Sequence, residues 1–144
     1  MLWNQLKRID PRCRSSLEKA INYLENSLGE KLLGACVVGS STCSDWSEGS
    51  DIDLLYLTHE APDYLKKLEM EDYLRESVDV RVQFIPMQPD FLLNYHLKNR
   101  TTMAHSIRRG VVIVDDERLF NDFKSLTDKD LPKIEWIKEY FIKF

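Results

Sequence analysis

Val37-Val38-Gly39-Ser40, ten further residues, then Asp51-Ile52-Asp53-Leu54: this stretch decides how the chain is read. An apolar run stops at a glycine, a polar segment follows, and a second apolar run opens with two carboxylates. Along a strand, alternate side chains share a face, so Asp51 and Asp53 point the same way. Paired carboxylates are costly to hold together unless something positive sits between them, and a divalent cation is the obvious candidate. The glycine turn, with Ser40, Ser41 and Thr42 opening what reads as a helix, is a ready place for phosphate. A cation beside phosphate points to phosphoryl or nucleotidyl transfer.

Working outward, 32–38 reads as a central strand buried on both faces. Before it, Asp10 as N-cap and Pro11 in the first turn start a helix. Leu17, Ile21, Leu24 and Leu28 recur along it at helical spacing, and Gly29 stops it. Residues 44–50 form a polar loop with Trp46 as its one large apolar residue, and Ser50 is expected to order that loop. In the strand 51–58, Leu55 and Leu57 follow Asp51 and Asp53 on one face, while Ile52, Leu54 and Tyr56 take the other. A helix over 62–76 is expected to turn Leu65, Leu68, Met70 and Tyr73 inward and Lys66, Lys67, Glu69 and Glu71 outward.

In 77–85, Val78, Val80, Val82 and Phe84 alternate with Asp79, Arg81, Gln83 and Ile85. That pattern predicts a strand with one core face and one polar face flooring an open site, ended by Pro86 and Pro89. Helices follow at 90–100 and 102–109, a strand at 111–114, and helices at 116–126 and 131–144. The last carries Ile134, Ile137, Phe141 and Phe144 on one stripe, with Trp136 and Tyr140 beside it, which leaves self-association through this helix open. The fold class is therefore α/β: a mixed sheet of about four or five strands with helices packed mainly on one side. One domain is expected over 1–144, its core at about 30–115 and its C-terminal helices at 116–144.

A hydrophobic share of 43% and a charged share of 31% are ordinary for a soluble globular protein. The net charge of −4 argues against a general nucleic-acid binder. Cys13, Cys36 and Cys43 lack metal-ligand spacing, and an odd count without a signal sequence fits a reducing cytoplasm. No run approaches membrane-spanning length.

The combination Gly39-Ser40 and Asp51-Ile52-Asp53-Leu54 resembles the signature of the DNA polymerase β-like nucleotidyltransferase superfamily. With Ile107-Arg108-Arg109-Gly110-Val111-Val112-Ile113 and the small size, it is most similar to the minimal nucleotidyltransferases, over roughly residues 30–115. The resemblance implies that Gly39 and Ser40 hold the triphosphate and that Asp51 and Asp53 bind two magnesium ions. It also implies a third carboxylate on a neighbouring strand, for which Asp79 is the match. Ser50 and Arg81 join the candidate nucleotide contacts. The implied reaction moves a nucleoside monophosphate, AMP from ATP, onto an acceptor hydroxyl with release of pyrophosphate.

Small relatives often carry an arginine directly after Gly-Ser and a glycine three residues later; Ser41 and Ser44 stand there in this chain. Arg81 could supply charge instead, or simply pair with Asp79. The resemblance further implies a helical partner of the HEPN type, against which such proteins act as antitoxins. An alternative is a binding module that neutralises its partner without transfer, and another is an enzyme modifying aminoglycoside-type antibiotics. The Arg100-to-His105 spacing matches the HEPN ribonuclease pattern only by chance. Lys98, Arg100, Arg108 and Arg109 read first as a solvated face.

Overall fold

The computed structural model describes residues 2–42, 46–97, 101–116 and 118–130. Its sheet has four strands, β1 (Gly34–Val38), β2 (Ile52–Leu57), β3 (Val82–Met87) and β4 (Val111–Asp115). They lie in the order β3-β2-β1-β4. β1 runs antiparallel to β2 and β4, whereas β2 and β3 are parallel. Helix α1 (Arg14–Leu28) precedes β1, and α2 (Tyr64–Arg75) makes the crossover from β2 to β3 that a parallel pair requires. A short α3 (Pro89–Phe91) runs into π-helical turns at Leu92–Leu97. Helix α4 (Thr102–Arg109) leads into β4, and α5 (Leu119–Asp130) follows it.

The mixed α/β sheet is as the sequence predicts, but the helices cover both of its faces. On one side Leu17, Ile21 and Leu24 of α1 and Met70 and Leu74 of α2 pack with Val37, Ile52, Leu54 and Phe84. On the other, Ala104 and Ile107 of α4 and Phe120 and Phe123 of α5 pack with Cys36, Val38, Leu55 and Leu57. All five residues of β1 are buried, which is the consequence of cover on two faces. Gly110 makes the corner between α4 and β4 fit: a Cβ there would stand 2.6 Å from Cys36 Sγ and 2.7 Å from the Val37 carbonyl.

Three local expectations are corrected. Asp10 does not cap α1; the helix starts at Arg14 after Cys13, and Asp10 binds Arg12 instead. The turn after Gly39 opens as a 3-10 turn, Ser40–Thr42, and residues 43–45, into which the expected helix would run, lie outside the described residues. Helix α2 leaves Leu65, Leu68 and Tyr73 exposed at 68%, 53% and 70% and buries Met70, Leu74 and the expected outward residue Glu71.

The strand predicted at 77–85 starts only at Val82 and runs through Pro86. Its first residues are diverted because Ser16 Oγ on α1 accepts hydrogen bonds from the N–H groups of Asp79 (3.1 Å) and Val80 (2.9 Å). Pro86 is tolerated because β3 is an edge strand. The Phe84 N–H, two residues earlier and therefore on the same side, points off the sheet to Glu71 Oε2 at 2.8 Å. The expected last helix, 131–144, lies outside the described residues.

Candidate active site

Asp53 is paired with Val38 across β1 and with Gln83 across β3, so the carboxylates lie at the end of the central strands. Gly39 follows directly with φ +86, a left-handed conformation that side chains disfavour. A Cβ at that position would stand 2.8 Å from Asp53 Oδ2. Glycine is therefore required twice, by the backbone and by the carboxylate it lies against. Burial, and after it the charge of Asp51, push the Asp53 carboxyl above its ordinary value. Among the described residues no cation forms an ion pair with either carboxylate.

The turn itself is closed by Thr42, whose N–H and hydroxyl both reach the Gly39 carbonyl, at 3.3 and 2.8 Å. Ser50 closes the loop before Asp51: its N–H donates to the Ser47 carbonyl, and its own carbonyl accepts from Trp46 Nε1 at 3.2 Å. Ser50 takes part in both through its backbone, and its hydroxyl lies 3.2 Å from that of Ser47 in the same loop.

Because β2 lies between β1 and β3, the carboxylates have the Gly39 turn on one side and the 79–81 segment on the other. The Ile52 N–H donates to the Arg81 carbonyl at 2.8 Å, which locks that segment beside Asp51. An open cleft of about 640 Å³ lies here, walled by the loop from Trp46 to Asp51 on one side and by Asp79, Val80 and Arg81 on the other. Asp79 and Arg81 are exposed in it, and Asp79 sits in the bend before β3 rather than on a strand face.

Among the described residues no three acidic, histidine or cysteine side chains are gathered closely enough to hold a metal ion. Asp79 therefore shares a cleft with Asp51 without completing a three-ligand cluster. The Asp51–Asp53 pair still suits magnesium, which typically takes one or two carboxylates and completes its shell with water and substrate phosphates.

Arg12 also lines the cleft, and local sequence gave no signal of it. Asp10 Oδ1 accepts from the Arg12 N–H (2.9 Å) and Nε (3.0 Å), and Oδ2 accepts from Nη2 (2.8 Å). The Arg12 guanidinium holds the Asp10 carboxyl down to about 2. Ser16, which fixes the Asp79 backbone, was equally hidden, since it reads as one more residue of α1. Of the basic cluster, Arg108 and Arg109 are exposed, while Lys98 and Arg100 lie outside the described residues.

Residues 17–108 match the nucleotidyltransferase domain family. The chain belongs to that family. The nucleotidyltransferase domain is 38% identical over 55 residues to two proteins of Methanocaldococcus jannaschii, MJ0128 and MJ1215, whose names mark them as candidate protein adenylyltransferases. That match covers 38% of this chain and 56% and 64% of the two relatives, so it spans less than two thirds of either.

Among solved structures, a chain of a toxin–antitoxin complex with AMP-PNP shares the fold, with a TM-score of 0.55 at 17% identity. The likeness covers 88% of this chain and 90% of that one. A chain of the Shewanella oneidensis complex of a tri-AMPylated HEPN toxin with an MNT antitoxin is similar at a TM-score of 0.50 and 16% identity, covering 90% and 95%. No helix among the described residues is long and apolar enough to cross a membrane.

Proposed function

We propose that this nucleotidyltransferase moves AMP from ATP onto a hydroxyl of a protein partner, releasing pyrophosphate. The observation that carries the proposal is the Asp53 carboxylate held against the Gly39 turn, with the charge of Asp51 acting on it. Protein acceptors are favoured because the relatives in sequence are named for protein adenylylation. A HEPN-type helical protein is the partner favoured by the structural neighbours.

Asp51 and Asp53 would hold magnesium together with the nucleotide's phosphates. When bound, the metal neutralises phosphate charge, lowers the pKa of the attacking hydroxyl and stabilises the leaving pyrophosphate. The Gly39–Ser40 turn offers backbone N–H groups to the triphosphate. The acceptor oxygen attacks the α-phosphorus as the bond to the β-phosphate oxygen breaks, and that oxygen leaves with the electron pair. Asp79, which lines the opposite wall of the cleft, would take the hydroxyl proton, while Ser16 fixes its backbone.

The test is transfer of label from α-labelled ATP to the partner in the presence of magnesium. Wild type should label the partner, and Asp51→Ala should not. A second reading is a module that neutralises its partner by binding alone; what favours it is that no three metal-ligating side chains gather among the described residues. Tight partner binding by both proteins with no label transferred by either would establish that reading and remove the first.

A further inference from the structure

Arg12 is held far more firmly than an exposed arginine usually is. Its side chain is 57% exposed, and a surface ion pair of that kind ordinarily contributes little and moves freely. Here Nε and Nη2 grip the two oxygens of Asp10, a carboxylate only 10% exposed. Nη2 also donates to the Trp46 carbonyl at 3.0 Å, and the guanidinium lies 4.4 Å over the Trp46 ring. The Asp10 N–H is itself tied to the Ser41 carbonyl at 3.0 Å. The arginine is thus fastened at once to the turn after Gly39 and to the loop before Asp51, the two segments that flank the carboxylates.

A guanidinium has five N–H donors. Three are used by Asp10 and Trp46; the two on Nη1 have no acceptor among the described residues. They belong to a side chain that lines the cleft. That cleft carries Glu48, Asp51 and Asp79 against Arg12 and Arg81, so an anionic substrate needs every cation it can reach. Ser41 and Thr42, which follow Gly39-Ser40, bring none. A fixed planar fork with unused donors is suited to a phosphate, because little side-chain freedom is lost on binding.

We propose that Arg12 is an anion-contact residue of this cleft, donating its Nη1 hydrogens to a phosphate oxygen of the bound nucleotide. Asp10 and Trp46 are the residues that position it. The identity of the phosphate rests on the nucleotidyltransferase reading above, whereas the anion contact itself does not.

The test is calorimetric titration of wild type, Arg12→Gln and Arg12→Lys, with magnesium present. Two probes are used: a non-hydrolysable ATP analogue and inorganic pyrophosphate. Loss of one charge-assisted contact should weaken both probes by about tenfold in Arg12→Gln. Arg12→Lys, which keeps the charge and loses the fork, should fall between. Melting curves of each variant separate lost contact from lost fold, and Arg12→Lys keeps the comparison open if Arg12→Gln does not fold.

Wild-type affinity of Arg12→Gln for both probes would overturn the assignment. Wild-type binding of pyrophosphate but not of the analogue would sink the nucleotide reading, and the pyrophosphate arm would then judge Arg12 alone. Binding of neither probe by wild type would overturn both.

Discussion

At the scale of single residues, the site is an electrostatic conflict held in place by sterics. Asp53 is raised because it is half-buried beside Asp51. The native state therefore keeps its proton to higher pH than the unfolded chain does, so stability is lost as pH rises from the ordinary carboxyl range through the raised value. Asp53→Asn should melt higher than metal-free wild type at neutral pH, and the gap should close in acid below the ordinary carboxyl range; thermal melts across pH measure this. Wild type should gain an upward melting shift with magnesium, and the same variant should lose it. Equal melting of the two proteins at neutral pH would mean that the pair is not in conflict. Gly39→Ala brings both a left-handed φ and a contact with Asp53 Oδ2, and should cost at least ~1 kcal/mol in denaturant unfolding. Asp-x-Asp after Gly-Ser was legible because its chemistry lies in spacing along one strand. Arg12 was not, since it reaches the cleft only through Asp10, Trp46 and Ser41.

At the scale of elements, side chains from one element decide where another begins. Ser16 takes the N–H groups of Asp79 and Val80 out of the sheet and so shapes one wall of the cleft. Ser16→Ala leaves two N–H groups without their acceptor and should cost ~1–3 kcal/mol. It should also speed amide exchange at 79 and 80 while nucleotide affinity holds; unchanged exchange there would remove its positioning role. Glu71, 8% exposed and paired with Lys67 at 2.8 Å, caps the open edge of β3 through the Phe84 N–H. Glu71→Ala should lose ~1–3 kcal/mol in urea unfolding, more than a helix-surface glutamate would. The alternation over 77–85 reads as one strand because period-two burial is present at Val78 and Val80 as well, which are partly buried on the α1 side without strand pairing.

At the scale of the whole molecule, the two-faced core sets the tolerance to change. Leu54, fully buried between β1 and β3, should lose ~2–5 kcal/mol on replacement by Ala. Leu68, 53% exposed on α2, should accept Lys within ~0.5 kcal/mol, which a parallel pair of melts will show. The apolar pattern of α2 misled because Tyr64, Leu65, Leu68 and Tyr73 are as hydrophobic as a buried stripe, while a glutamate takes the buried position for a hydrogen-bonding reason. By itself, the sequence determined the α/β class, the family signature and the two adjacent carboxylates. Each of these depends on residue type and short-range periodicity, which the chain carries locally. Only the tertiary structure decided that helices cover both faces of the sheet. It alone placed Asp79 across a cleft from Asp51 and brought Arg12 to that cleft. The cover of both faces depends on apolar contacts between distant elements, and the cleft on hydrogen bonds between residues 31 to 64 positions apart, such as Asp10 with Ser41 and Ser16 with Val80, which no local pattern encodes.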